Sequence, residues 1–240
     1  MFREIKKQFY LRWDEIVMIL VLEAGLFLFG ELILVFAVRG MGETDSVFPL
    51  GTLMALMVPV FIMVFLGMGS LPLYFNTVIG MGMTRRRLVP LMFAFSFLQN
   101  MAGIWIAYLF YYLETWIFRT AYAGIRNELD LQFVFQWKYI VPICMVIVAL
   151  NVMMGAMWLK YGKKALTIFW ILWMAVFIGG PRIGRMLAHG KGGVFFDMCR
   201  KIVDLFSHCS EAGIIMMVIA VSVGLMVVAY GILCKQQVEY

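Results

Sequence analysis

The sequence predicts an all-α integral membrane fold. It comprises six transmembrane helices, an interfacial elbow helix before the first, and an amphipathic helical excursion between the fifth and sixth. Three observations predict it. Of the 240 residues 64% are hydrophobic and only 14% charged, with a mean hydropathy of +0.92; an ordinary soluble domain carries about 25% charged residues. Apolar stretches recur near the roughly 20 residues that cross a bilayer as a helix. Basic residues gather in short segments between those stretches, because each costs about 2.5 to 3.5 kcal/mol at mid-bilayer. The connections left over are too short for a separate soluble domain, so residues 1–240 form one membrane domain.

Each element has its own signal. In residues 1–14, Phe2, Ile5, Phe9 and Trp13 recur at helical spacing with Arg3, Lys6 and Lys7 off that stripe. That pattern fits an interfacial helix rather than a cleavable signal peptide. Span 1, at about 16–38, is too long for a signal core and carries Glu23 and Glu31. Span 2 covers about 50–70, and Pro72 is read as ending its regular helix. Spans 3 and 4 cover about 88–112 and 139–159. Span 5, about 165–178, is short and ends at Gly179-Gly180-Pro181. Span 6 covers about 214–234. Between the last two, Phe195, Met198, Ile202 and Phe206 fall on one helical face, opposite Asp197, Arg200, Lys201, Asp204 and His208.

Charge sets an orientation. Residues 1–14, 71–87, 160–164 and 235–240 carry basic residues at about twice the density of the opposite connections, which places both termini in the cytoplasm. The net charge of +6 is accounted for by an anionic inner leaflet, with no nucleic acid partner. The 21 methionines serve either as core and lipid-facing filler or as an adaptable surface for apolar ligands.

Several chemistries find no support. No segment fits the Gly-x-x-x-x-Gly-Lys-Ser/Thr phosphate cradle, so any ATPase must be another chain. The two histidines, His189 and His208, both fall in the last external connection, whereas haem within a bundle calls for histidines on the spans. Neither Gly-x-Ser-x-Gly nor His-Glu-x-x-His occurs. The chain is therefore expected to be no enzyme, with no metal or cofactor of its own. Cys144 and Cys234 read as small core residues. Cys199 and Cys209 share the external connection; a helical separation of ten residues is about 15 Å, beyond disulfide reach unless the chain folds back.

Five polar side chains in the spans matter. Glu23 fits either a translocation pathway or proton site, or a partnership with Asn100 or Asn151. Glu31 is placed near the outer interface. Gln99, Asn100 and Asn151 read as interhelical hydrogen-bonding groups, with Glu23, Asn100 and Asn151 as candidates to line a cavity or translocation path. Residues 71–87 hold more than an orientation signal. Tyr74, Phe75 and Val78 on a short helix, followed by Gly80 and Gly82, would make a docking knob, and Thr84 is placed to cap the next helix ahead of Arg85, Arg86 and Arg87.

These features together resemble the six-span permease subunit of ABC-2-type ABC transporters. The matching features are the basic elbow helix, the Phe-x(4)-Gly-x-Gly-x-Thr-Arg-Arg-Arg segment between spans 2 and 3, the short fifth span, and the helical excursion after it. The resemblance implies that residues 71–87 form a coupling helix docking into an ATPase, with Phe75, Asn76, Gly80, Gly82, Thr84, Arg85 and Arg86 as its carriers. It also implies a pair of permease copies, expected as a homodimer, with two ATPase chains supplying ATP and Mg. The setting is a bacterial cytoplasmic membrane, and the task is export of an amphipathic or hydrophobic substrate: an antimicrobial peptide, a toxin or a lipid-like molecule. The alternatives are a non-transporting scaffold or sensor, which predicts a large external domain or tail, and a membrane-embedded enzyme subunit, which predicts clustered histidines or cysteines.

Overall fold

The computed structural model describes residues 10–41, 46–80, 82–121, 126–127, 129–180 and 209–235. Helix α1 (Trp13–Val35) runs into a π-type turn at Phe36–Met41. Helix α2 (Leu50–Met57), a π-type turn (Val58–Ile62) and α3 (Met63–Gly80) form one rod. Helix α4 (Arg85–Ala121) is the longest at 37 residues. After a 3-10 turn at Leu131–Phe133 come α5 (Trp137–Tyr161) and α6 (Lys163–Met174), which a second-half π-type turn extends over Ala175–Gly179; α7 is Glu211–Lys235. Strands β1 (Ser46–Val47) and β2 (Arg126–Asn127) pair in parallel, so the connections after α1 and α4 meet at one end of the bundle. Arg85, Arg86 and Arg87 stand at the other, basic end.

Among the described residues five rods are long and apolar enough to cross a bilayer, as a multi-pass membrane protein requires: Trp13–Gly40, Leu50–Gly80, Arg85–Ala121, Trp137–Tyr161 and Glu211–Lys235. They coincide with expected spans 1, 2, 3, 4 and 6. The segment expected as span 5 forms a 12-residue α-helix and a five-residue π-type turn, about 25 Å at 1.5 Å per residue, short of about 30 Å of hydrocarbon. Most of the expected elbow helix (residues 1–9) and the expected excursion (181–208) lie outside the described residues.

Two boundaries need correction. The helix does not end near Ser70: α3 continues through Pro72 to Gly80. Proline stops a helix where water can take the freed carbonyl, but membrane helices tolerate it, and packing carries this one onward. Leu71, Phe75 and Val78 join the buried cluster formed with Val148, Val152 and Leu233. Likewise α4 runs nine residues past the expected end at 112, because Glu114 and Phe118 on its last turns are buried.

Helix α5 is the hub. It packs on α3 and α7 toward the basic end, and Ile140 and Cys144 near its start join Phe27, Ala55 and Ala107. Glycines allow the closest approaches, as expected where helices associate by close packing in lipid. A Cβ on Gly30 would lie 2.7 Å from the Gly51 Cα and the Leu50 carbonyl oxygen, which brings α1 backbone-to-backbone with α2. A Cβ on Gly67 would overlap the Asn151 amide, whose Nδ2 donates to the Met63 carbonyl at 3.2 Å. That bond bridges α5 to α3, as read for Asn151.

Candidate functional site

The basic end is built from a helix stop, a helix start and an arginine clamp. Gly82 has φ of +88°, a conformation that favours glycine. Its N–H donates to the Ile79 carbonyl at 2.9 Å, and the Met83 N–H donates to the Val78 carbonyl at 3.3 Å. This pair of bonds is the Schellman stop, so the second glycine of Gly-Met-Gly-Met is there to end α3. Thr84 then occupies the N-cap position of α4, its carbonyl accepting from the Arg87 and Leu88 N–H groups at 3.0 Å. Its hydroxyl makes no capping bond among the described residues, contrary to the expected side-chain cap.

Cations at a helix N-terminus oppose the macrodipole by about 0.3–1 kcal/mol each. Arg85, Arg86 and Arg87 nevertheless open α4, with Arg86 and Arg87 exposed. An anionic membrane surface returns about 1 kcal/mol per basic residue, and an acidic partner surface would act the same way.

The side chains expected to make a docking knob divide. Phe75 and Val78 are 0% and 3% exposed and belong to the core; the stretch is not a free amphipathic helix but the last turns of α3, held by α5 and α7. Tyr74 is half-buried. What faces outward is Thr77, Gly80, Gly82, Thr84, Arg86 and Arg87, with Asn76 and Arg85 half-exposed.

Tyr74 turns toward a group the sequence reading counted only as an orientation charge. Arg12, 6% exposed, precedes α1. Its Nε and Nη2 donate to the two Glu15 carboxylate oxygens at 2.7 and 2.8 Å, and Nη2 donates to Ser70 Oγ at 3.4 Å. The guanidinium lies 4.6 Å from the Tyr74 ring centre and 4.8 Å from that of Phe95. One side chain thus ties the start of α1 to α3 and α4 by paired hydrogen bonds and cation–π contact.

Carboxyl groups form a second set. Glu23 is fully buried, and neither carboxyl oxygen has a hydrogen-bond partner among the described residues. Its Oε1 lies 2.8 Å from where a Gly103 Cβ would stand. Neither amide considered as its partner donates to it: Asn151 Nδ2 donates to the Met63 carbonyl, and Asn100 Nδ2 donates to the Ser96 carbonyl within its own helix at 2.8 Å. Asn100 thus donates no interhelical hydrogen bond among the described residues, and its Oδ1 is also unpartnered. Glu31, near the β1–β2 end, approaches Gly51, with Oε1 2.8 Å from that residue's Cβ position.

The sequence reading missed Glu114. Fully buried on α4, it accepts from the Gly51 and Thr52 N–H groups at 2.9 and 2.8 Å. These are the second and third residues of α2, whose own cap position is Pro49, a residue with no side chain to accept from them. A carboxylate from another helix does the capping and gains the dipole of α2. Its signal was available: Asn100, Gly103, Ala107 and Glu114 share one face of α4.

A third feature is a lateral cavity of about 800 Å³ between α5, α6, α7 and the π-type turn of the second rod. Phe61, Val64, Ile147, Phe169, Trp173 and Val218 line it, and its polar edge is Tyr139 with Glu211. At that edge Lys138 Nζ and Tyr139 Oη both reach Glu211 Oε1, at 2.7 and 2.6 Å. Pro59 lies within the π-type turn; lacking an N–H, it cannot close the ordinary helical ladder there, and the wider turn brings Val60 and Phe61 onto the cavity wall.

Cys144 and Cys209 carry no disulfide, and Cys199 lies outside the described residues. No group of His, Cys, Asp and Glu with metal-holding geometry occurs among the described residues. No family model, curated protein or solved structure matches the chain.

Proposed function

We propose that this chain is the permease subunit of an ABC-2-type exporter in a bacterial cytoplasmic membrane, with both termini cytoplasmic and ATP hydrolysis supplied by a separate chain. The observation that carries the reading is the construction of the basic end. An exposed turn of Gly82 and Thr84 with Arg86 and Arg87 sits at the foot of α3, and α3 runs unbroken for 18 residues, about 27 Å, to the π-type turn that walls the lateral cavity. A push at the turn is therefore delivered to the cavity wall. The Arg12 clamp adds the start of α1 to the same moving unit.

In this reading two copies pair and bind two ATPase chains. ATP favours one ATPase arrangement over another, and that difference in affinity shifts the permease between states. Docking uses Asn76, Thr77, Gly80, Gly82, Thr84, Arg85, Arg86 and Arg87; Phe75 and Val78 transmit the push from within the core. The short α6 serves as the sixth crossing. The cavity, apolar along its length with a charged edge at Lys138 and Glu211, suits an amphipathic substrate such as a peptide, toxin or lipid-like molecule.

Photocrosslinking from position 77 or 86 in the native membrane tests the contact. Adducts to a nucleotide-binding chain are expected from those positions and not from position 109, whose Leu109 is exposed elsewhere on α4. Adducts to lipid alone from both positions would sink the docking assignment.

A further inference from the structure

Burying an ionised carboxylate without a partner costs several kcal/mol after all relaxation, and an intramembrane acid ordinarily faces a partner or a wet path. Glu23 has neither an ion-pair nor a hydrogen-bond partner among the described residues. Oε1 lies against Gly103, and Asn100, three residues earlier on the same face of α4, has an unpartnered Oδ1 while its Nδ2 donates one of its two hydrogens to the Ser96 carbonyl. Neither Glu23 oxygen receives a hydrogen bond from a described residue, so the carboxyl is satisfied only by something positive or proton-bearing. A Cβ on Gly103 would stand 2.8 Å from the Glu23 Oε1 and 3.1 Å from the Pro59 Cβ.

The charged and titratable groups on the packed elements stand away from this point. Asp14 and Glu15 lie nine and eight residues earlier on α1, Glu15 is paired with Arg12 just before the helix, and Glu31 is eight residues later, each at least about 12 Å along the axis. Residues 50–62 of the rod packed on α1 carry no titratable group. On α3, Tyr74 is turned to Arg12. On α4, Glu114 caps α2, Tyr108 is turned to Tyr112 and Phe135, Tyr111 donates to Asp130, and Arg119 and the arginine triplet are each more than three turns away. No neighbour supplies the missing cation.

Gly103, against which Glu23 Oε1 lies, also lines a groove. The groove, of about 160 Å³ between α1 and α4, is lined as well by Ile16, Leu20 and Gln99 and is large enough for water. Both amide atoms of Gln99 are buried and unpartnered; they offer one donor and one acceptor group.

We propose that Glu23 and Asn100 form a buried proton-binding site, in which the Glu23 carboxyl carries a proton donated in a hydrogen bond to Asn100 Oδ1 and exchanges it through the Gln99 groove. Uptake forms one O–H bond on Glu23 and release breaks it, with water as carrier and no other reactant. The site does not depend on an ATPase partner, so its failure and that of the export reading are separate events.

Infrared spectroscopy of the full chain in lipid nanodiscs tests it. At neutral pH the wild type should show a protonated-carboxyl C=O component that shifts in D2O. Glu23→Gln should lose that component, and Glu31→Gln should keep it. Asn100→Ala should move it to the position of a carboxyl without a hydrogen bond, which decides the matter even if the Glu23 variant does not fold. Absence of the component in the wild type, or its survival unchanged in both Glu23→Gln and Asn100→Ala, overturns the proposal. So does a wild-type melting temperature raised by sodium over choline and insensitive to sodium in Glu23→Gln, because the site would then hold a metal cation.

Discussion

Arg12 and Glu114 hold more of this molecule than their places in the sequence announce. Arg12→Ala removes two charge-assisted bonds to Glu15 and two cation–π contacts, and should cost about 1–3 kcal/mol. Differential scanning fluorimetry in detergent should read this as a lower melting temperature, while Arg86→Ala, exposed and uncommitted, should leave it unchanged. Glu114→Ala strands the buried Gly51 and Thr52 N–H groups, at about 1–3 kcal/mol for each unsatisfied donor. Both losses should exceed that of Thr77→Ala, whose hydroxyl bonds only its own helix. Asp130 lies outside the spans, held below the usual carboxylate range by the Gln132 N–H and the Tyr111 hydroxyl. Its folded value is depressed, so its contribution is complete at neutral pH and is lost only as acid takes the pH below about 4. Protection of the Gln132 amide against hydrogen exchange should fall across that acid range in the wild type and stay level in Asp130→Asn. Among these groups, Glu23 was conspicuous in the sequence because it interrupts an apolar run. Glu114 was not, because it fell beyond the expected end of its span and was read as part of a loop.

At the scale of elements, composition made the long helices legible and left their ends and interruptions obscure. Five apolar runs became five rods near the expected places. Pro72 read as a stop and proved to be interior to α3; Pro90 and Pro142 are likewise interior to α4 and α5. The deciding physics is tertiary: Leu71 and Phe75 are buried on either side of Pro72, and breaking the helix would expose both. The π-type turns had no sequence signature beyond Pro59. Gly82 was singled out for docking, and its positive φ assigns it a conformational duty as well. Close helix approach gives a sharp prediction. Gly30→Ala drives a methyl into the backbone of α2 at 2.7 Å, where no side chain can yield, and should cost about 1–3 kcal/mol or more. Gly25→Ala on the same helix meets nothing within 4 Å and should be close to neutral. Equal melting temperatures for the two variants would contradict the backbone-to-backbone packing of α1 and α2.

For the whole molecule, the described residues form an all-helical bundle with five rods able to cross a bilayer, and the short α6 stands apart from them. The structure gathers the basic turn, the Arg12 clamp and the foot of α3 at one end; the charge count put residues 1–14 and 71–87 on one side but held no sign of the contacts between them. The sequence had no means of locating the lateral cavity, because its walls come from four separated segments. The proposed engagement of an ATPase by the basic turn can be read out on the purified protein. The full chain is purified in mild detergent from its native membrane as wild type and as the Arg86→Glu/Arg87→Glu double variant, and co-eluting ATP hydrolysis is recorded beside the melting temperature. The expected result is hydrolysis with the wild type and at least a tenfold loss with the double variant at an unchanged melting temperature. A wild-type preparation without hydrolysis, or a double variant that retains it, would contradict the account.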